Sequence, residues 1–228
     1  MLPKIFLFPV AALAVCTGLF AQNKRQMETT NDNIDASIPD SVKYQYPAFV
    51  DGHVAFRDNI GTDAMLNYNL LSGEMHFING RDTLAMANEL NIRNITINQD
   101  TFYFDKVYLQ RVIGSAIASL AKNSRINLED IRKASGYGNY TSLGAVSHYN
   151  SVSNSTHTQY LSADRKLTFV TRVSYYIGDK YNHFLPATKK NVLNVFGNKK
   201  ELESYITGNK IDFTKEDDLK KLINYISQ

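Results

Sequence analysis

The sequence predicts an α+β protein, mainly an antiparallel β meander arranged as a sandwich or a half-barrel, with short C-terminal helices. Three observations predict this class. Short runs of alternating apolar residues recur along the chain, turn residues separate them about every 8–12 residues, and the spacing becomes helical after Pro186. Turns this frequent favour an antiparallel sheet over parallel strands joined by helices.

The clearest strand signal is a hairpin in the stretch AMLNYNLLSGEMHFI. Leu66, Tyr68 and Leu70 share one side of the first strand, and Met75 and Phe77 share one side of the second, because side chains of an extended chain alternate between two faces. A Ser-Gly pair between the runs breaks the period and supplies the turn. We expect these apolar side chains to lie in the core.

Further strands follow from the same alternation. The stretch 107–122 is compatible with either a helix or two strands, and the pair Gly114 and Ser115 favours a hairpin because glycine weakens a helix interior. The other strands are predicted at 49–56, 83–86, 92–97, 101–104, 126–131 and 167–176.

Three amphipathic helices are predicted after Pro186. The first two, at 189–196 and 199–207, each end at a glycine, which commonly terminates a helix. The third follows residues 214–217, which resemble a capping box with Asp in its last position. Its apolar residues recur at helical spacing: Leu219, Leu222, Ile223 and Ile226.

The N-terminus predicts export. Lys4 precedes an apolar run that is too short to span a bilayer comfortably, and Ala21 offers a small residue for cleavage, so 1–21 is predicted to be a Sec signal peptide. The protein would then be periplasmic or secreted. Cys16, the single cysteine, lies in a segment that resembles a lipoprotein box, so a lipid anchor is the alternative and the one route to a membrane. The formal charge of +3 predicts no nucleic-acid partner.

The rest of the chain divides into three predicted regions. A polar, flexible leader is expected at 22–43, an antiparallel β domain at 44–186, and a helical segment at 187–228. The β domain contains a polar excursion at 135–165, rich in Gly, Ser, Asn and Tyr, and a loop of that length is often functional.

Several of these stretches together resemble a group of exported proteins of Bacteroidetes-type bacteria. The resemblance lies in YPAFVDG at 46–52, LNYNLLSGEMHFI at 66–78, DTL at 82–84 and the lysine- and leucine-rich helical tail. It implies an envelope or secreted location and adds no activity, cofactor or catalytic residue.

No catalytic, cofactor or metal site is predicted from the sequence. The five histidines do not occur in the local spacings of zinc sites, and the mature chain has no cysteine once the signal peptide is removed. Nucleophile-elbow, phosphate-loop and dinucleotide-binding glycine motifs do not occur either.

The excursion is the segment most open to a functional interpretation. Tyr137, Tyr140, Tyr149 and Tyr160 alternate there with small polar residues, a composition typical of adaptable recognition loops. We therefore expect a non-catalytic envelope scaffold or binding protein, whose specificity and envelope partner the sequence does not identify.

Two alternatives remain open. One is an exported hydrolase without a recognisable motif. The other is a periplasmic carrier of a lipid or other small apolar ligand, with a half-barrel lined by Phe49, Val54, Phe56, Leu66, Tyr68, Phe77, Ile95, Ile97, Phe102 and Phe104.

Overall fold

Antiparallel strands dominate the structure, a computed structural model that describes residues 24–29, 38–134, 140–142, 165–197 and 199–228. Within these residues the strands are β1 (Lys24–Thr29), β2 (Val50–Phe56), β3 (Gly61–Asn69), β4 (Glu74–Asn79), β5 (Asp82–Ala85), β6 (Ile92–Ile97), β7 (Asp100–Asp105), β8 (Val107–Gly114), β9 (Ala118–Ala134), β10 (Tyr140–Ser142), β11 (Arg165–Asp179) and β12 (Phe184–Pro186). The helices are α1 (Asp40–Lys43), α2 (Lys189–Phe196), α3 (Lys199–Gly208) and α4 (Glu216–Ile226), with a 3-10 turn at Glu89–Asn91.

The strands form one open antiparallel sheet. Its hydrogen-bonded order is β1-β11-β9-β8-β7-β6-β2-β3-β4-β5, while β10 pairs with β9 and β12 pairs with β11. The predicted fold class, a mainly antiparallel sheet with short C-terminal helices, is confirmed. The predicted hairpin at Ala64 to Ile78 is β3–β4, in which Leu66 pairs with Phe77 and Tyr68 with Met75.

The ambiguous stretch between residues 107 and 122 contains two strands, as predicted. β8 ends at Gly114 and β9 begins at Ala118. In the turn, the Ser115 hydroxyl oxygen accepts hydrogen bonds from the backbone N–H groups of Ile117 and Ala118. A serine side chain that bonds its own turn favours a hairpin over a continuing helix. The strand predicted at 126–131 is part of β9.

The sheet curls back on itself between β9 and β3, although β8, β7, β6 and β2 lie between these strands in the hydrogen-bonded order. The backbone N–H of Ile126 donates to the carbonyl of Leu70 at 2.9 Å, and the Asn123 amide donates to the Tyr68 hydroxyl at 3.2 Å. These bonds join the end of β3 to the middle of β9. The resulting half-barrel has its edge strands, β1 and β5, at opposite ends of the sheet.

Side chains from facing strands fill the interior of this curl. Leu66, Ile97 and Phe102 are at most 1% exposed, and Tyr68 stacks at a tilt on Phe102 with ring centroids 5.7 Å apart. Tyr108 contacts Tyr68 from β8 with centroids 6.2 Å apart. Pairs of aromatic rings at such distances add to the stability gained from burial.

A strap formed by residues 44–48 crosses the end of β3. The buried Asn67 side chain accepts from the backbone N–H of Tyr46 at 3.1 Å and donates to the carbonyls of Tyr46 and Ala48. One amide side chain thus satisfies three backbone groups. The Tyr46 hydroxyl donates to the Asp100 carboxylate at 2.6 Å and ties the strap to β7.

Residues 24–29 and 38–43 of the predicted flexible leader, 22–43, are instead structured. Lys24–Thr29 forms edge strand β1 on β11, Ile38, 2% exposed, packs beside Leu71 and Phe169, and Asp40–Lys43 forms α1. The prediction is wrong for these two parts. An edge strand can be held by backbone hydrogen bonds with little apolar alternation, and a lone buried isoleucine has no periodicity to detect.

β9 and β11 form a long two-stranded ribbon. They pair from Ala118 with Asp179 to Lys133 with Arg165, interrupted by one bulge. β9 has 17 residues, which at about 3.3 Å per residue corresponds to roughly 55 Å along the strand. The C-terminal helices pack at one end of the ribbon, and the chain between β9 and β11, the predicted excursion, leaves from the other end.

The helices share an apolar cluster with the nearby end of the ribbon. Val192, Leu219 and Leu222 are completely buried and belong to the same cluster as Leu120 and Ile177 of the sheet. Their apolar spacing therefore predicted both the helices and their buried faces.

The helix ends differ in part from the prediction. Thr188 caps α2, its side chain accepting from the backbone N–H of Asn191. The predicted capping box at 214–217 is wrong, because Lys215 occupies the cap position without a side-chain bond. The Thr214 hydroxyl donates instead to the Asp212 carboxylate at 2.6 Å, an acceptor that lies outside the box.

Candidate functional site

Two adjoining clefts lie on the surface of the helical segment. The first, the phenylalanine cleft, has a volume of about 320 Å³ and is lined by Phe196, Gly197, Glu201, Leu202, Tyr225, Ile226 and Gln228. The second, the tyrosine cleft, is more open, with a volume of about 410 Å³, and is lined by Lys200, Glu201, Ser204, Tyr205 and Tyr225. Glu201 and Tyr225 line both clefts, so the two form one continuous candidate site.

Helix geometry explains why these side chains meet. Glu201 and Tyr205 are four residues apart on α3 and therefore lie on the same face of that helix. Gly197, whose φ of 67° marks the end of α2, is one wall of the phenylalanine cleft. A residue at positive φ is most easily glycine, and no side chain at this position fills the space between α2 and α3.

Two tyrosines from different helices stack on each other in the site. The rings of Tyr205 on α3 and Tyr225 on α4 lie parallel, with an interplanar angle of 10° and centroids 3.8 Å apart. Both side chains are only partly buried, although they pack against the apolar cluster of the helical segment. Aromatic rings in this position offer apolar area together with a polar hydroxyl.

Charge within the site is sparse. Among the described residues that line the two clefts, Glu201 and Lys200 are the charged ones, and Lys200 lines the tyrosine cleft alone. The phenylalanine cleft therefore combines the polar Glu201 and Gln228 with apolar and aromatic side chains. Ligand sites commonly combine apolar side chains with a few polar groups.

Acid and base groups meet at a second place, on β4 beneath the strap. The Tyr44 hydroxyl lies 3.0 Å from Nδ1 of His76, and Nε2 of His76 lies 3.4 Å from the Glu74 carboxylate. Burial and, to a smaller degree, the charge of Asp40 raise the pKa of Tyr44, so its hydroxyl stays protonated. The ring of Phe49 also packs against Tyr44, at 5.2 Å between centroids.

The other described histidines form isolated pairs with carboxylates. Nδ1 of His53 lies 2.7 Å from Asp63, and Nδ1 of His183 lies 3.1 Å from Asp179, both on the surface. Among the described residues no group of three or more His, Cys, Asp or Glu side chains could hold a metal ion. In the same part of the chain, no helix combines the length and the apolar character needed to cross a membrane.

The four tyrosines of the predicted recognition loop fall mostly outside the described residues. Tyr137, Tyr149 and Tyr160 lie outside the described residues. Tyr140 begins β10, where its backbone is paired with Ala134 at the far end of the β9–β11 ribbon. The loop stays a prediction.

The sequence alone did not reveal the helical clefts. Leu202, Tyr205 and Ile206 recur at helical spacing in the sequence, and the structure buries Leu202 and Ile206 but leaves Tyr205 half-buried against Tyr225. A tyrosine at the border of an apolar helix face was the available signal. Its partner is twenty residues away on another helix, which no local pattern indicates.

Comparisons with protein-family models, with curated proteins and with solved structures found no match. The resemblance to exported Bacteroidetes-type proteins therefore stays a prediction. Any functional conclusion rests on the geometry of this chain.

Proposed function

We propose that this chain is an exported, non-catalytic binding protein of the cell envelope, periplasmic or secreted, whose binding site is the pair of clefts on the helical segment. The observation that carries the proposal is the continuity of the two clefts through Glu201 and Tyr225, with Tyr205 stacked on Tyr225. The curled sheet serves as the support that holds these helices.

The composition of the clefts favours binding over catalysis. Their described lining contains a carboxylate, a lysine and tyrosines, without a histidine beside a serine or a second carboxylate. Hydrolases need a nucleophile or a pair of acid and base groups within reach of one bond. Tyr44, His76 and Glu74 are residue types that can act as acid, base or nucleophile. The pKa of Tyr44 is raised, however, which disfavours the deprotonated form that a nucleophile needs.

The interior of the curl gives less support to a carrier of apolar ligands. Except for Phe49, which contacts Tyr44, the residues predicted to line a ligand cavity belong to one packed cluster. Val54, Leu66 and Ile97 have no exposed surface. Well-packed interiors have few voids larger than a water molecule, so this interior serves stability.

Site-specific photo-crosslinking in cells of the native host tests the proposal. A benzoylphenylalanine at Ser204, which lines the tyrosine cleft, is compared with the same residue at Thr207, which is exposed on the same helix but lines neither cleft. We expect a discrete adduct from position 204 and none from position 207. Absence of an adduct at 204, or equal adducts at both positions, would contradict the proposal.

A further inference from the structure

We propose that the sheet carries a binding site for a phosphate group, at the place where the β9–β11 ribbon meets the β3–β4 turn. Arg125 of β9 and Arg172 of β11 hold the phosphate oxygens between them. This site belongs to the sheet rather than to the helical clefts, so it does not depend on the proposed function.

Two arginines lie directly opposite each other in the ribbon. Arg172 pairs with Arg125 in the register of β9 and β11, so both side chains project from the same face of the ribbon. Like charges that are directly opposite on neighbouring strands destabilise a sheet. A negative charge between the two arginines would make this pair favourable.

No carboxylate among the described residues supplies that charge. Neither arginine forms an ion pair in the part of the chain that the structure describes. Glu74, beside the turn, lies 3.4 Å from His76, and Glu129, further along β9, pairs with Lys24 at 3.0 Å. The charge of both guanidinium groups is therefore available to an anion from outside the chain.

The β3–β4 turn fixes one of the two guanidinium groups. Nη2 of Arg125 donates to the Leu71 carbonyl at 2.8 Å, and Nη1 lies against Gly73, where a Cβ would overlap it. A guanidinium has five N–H donors, and the Leu71 carbonyl is the one acceptor that the described residues provide for it. Arg125 is therefore held in place with most of its hydrogen-bonding capacity unused.

Two buried polar groups at this turn lack a partner. Nε of Arg125 and the hydroxyl of Ser72 are both buried, and neither has a hydrogen-bond partner among the described residues. Ser72 stands between Leu71 and Gly73, the two residues that the guanidinium contacts. Because buried polar groups are nearly always paired, two exceptions at one turn indicate an acceptor that the chain does not supply.

A phosphate group meets these requirements. Its oxygens accept several hydrogen bonds at once, and arginine binds phosphate through parallel N–H···O bonds. Arg172 is exposed and makes no hydrogen bond or ion pair within the described residues, so its side chain can close over an anion that Arg125 holds. The site thus combines a guanidinium fixed by the turn with one that adapts to the ligand.

Phosphorus NMR and thermal unfolding test the inference, with inorganic phosphate as the probe and chloride at equal ionic strength as the reference. The phosphorus signal should broaden when the wild-type protein is added. At about ten times its dissociation constant, phosphate should raise the melting temperature by about 3–6 °C, because it binds the folded state and not the unfolded one.

Arg172→Gln removes one half of the pair. In chloride this variant should melt at the wild-type temperature or slightly above it, because the repulsion between the two arginines is relieved. It should bind phosphate about ten-fold more weakly, since a hydrogen bond to a charged group is lost. Arg111→Gln is the matched control, because Arg111 is also exposed on the sheet but lies opposite Ala121. It should bind phosphate as the wild type does.

Arg172→Glu supplies the negative charge from the chain itself. Its carboxylate lies opposite Arg125 and takes the position of the anion. This variant should therefore melt at a higher temperature than the wild type in chloride, and phosphate should leave its melting temperature unchanged.

Three results would overturn the inference. The first is a phosphorus signal that the wild-type protein does not broaden. The second is an equal phosphate effect on the wild type, Arg172→Gln and Arg111→Gln, which would mean that phosphate stabilises the protein only by its exclusion from the surface. The third is a lower melting temperature of Arg172→Gln in chloride, which would mean that Arg172 already has a stabilising partner in the free protein.

Discussion

The curled sheet and the helical segment bury their apolar side chains in different ways. In the sheet, facing strands enclose the side chains completely, and Leu66, Met75 and Ile97 have no exposed surface. In the helical segment, Val192 and Leu222 are equally buried, but the aromatic residues at the margin are not, and clefts remain beside them.

This difference supports the proposal that the helical segment, rather than the sheet, carries the binding site. The buried side chains of the sheet contribute to stability, and the Asn67 amide there bonds the backbone of the strap. The margin of the helical segment instead leaves two tyrosines half-buried. Exposed apolar and aromatic groups in a concave place commonly mark interaction sites.

The largest effect on stability is expected from a substitution in the core of the curled sheet. Phe102→Ala should lower the free energy of unfolding by about 3–5 kcal/mol, because a large buried ring is removed and the surrounding strands can collapse only in part. Urea unfolding followed by circular dichroism measures this loss. A loss below about 1 kcal/mol would show that the curl is not closely packed.

The helical counterpart is Leu222→Ala, with an expected loss of about 2–5 kcal/mol. Its effect should be concentrated in the helices, since they contact the sheet through one cluster. Native-state hydrogen exchange should show faster exchange in α2 to α4, with β3 and β7 still protected. Equal loss of protection in both regions would mean that they unfold as one unit.

An intermediate effect concerns the turn that closes the curl. Gly73, in the β3–β4 turn, has a φ of 73°, and a Cβ there would overlap the Arg125 guanidinium, which donates to the Leu71 carbonyl at 2.8 Å. Gly73→Ala should therefore cost more than Gly80→Ala. Gly80 has a φ of 63° with open space around it, so an alanine there is destabilised only by its positive φ.

The expected difference between these two variants is about 1–3 kcal/mol, the cost of leaving the Leu71 carbonyl without its Arg125 donor when Arg125 moves. Thermal unfolding of both proteins measures it. Equal stabilities would show that Arg125 can move at no cost and does not hold the curl at this turn.

The smallest effect concerns the contact between α4 and the sheet. Glu216 pairs with Lys122 of β9 at 3.2 Å and with Lys220 at 2.7 Å. Burial, the largest single influence, raises the pKa of Glu216, but the hydrogen bonds and charges of Lys220 and Lys122 outweigh it, so the pKa lies below its ordinary value of 4.5.

A carboxylate with a lowered pKa stabilises the folded state above its ordinary value, and this contribution is lost as the pH falls through the folded-state pKa. Glu216→Gln should therefore reduce stability by less than about 1 kcal/mol at pH 7 and flatten the loss of stability below pH 4.5. Asp217→Asn is the control, because it shares the helix terminus. If both variants gave the same acid profile, the lysine contacts would contribute nothing.

Local periodicity explains the parts of the fold that could be predicted. Tyr68 and Met75 were expected in the core, and both are almost completely buried. The three C-terminal helices follow from apolar residues three and four positions apart. In each case the residues that decide the structure are close together in the chain.

The remaining features depend on contacts between distant segments. The bond from Ile126 to Leu70 joins β9 to the end of β3, and nothing in either strand indicates the other. The stacking of Tyr205 on Tyr225, and with it the candidate site, depends equally on how two helices dock. Alternation predicts which face is apolar but not what that face meets.

The position of β1 has a consequence for the order of folding. Lys24 pairs with Val170 and Thr29 with Arg165. The first described strand therefore pairs with a strand that lies far along the chain. Contacts between such distant residues form slowly, because bringing them together costs the conformational entropy of closing a long loop. We expect β1 to dock last, after the meander and the β9–β11 ribbon, leaving one edge of β11 open until then.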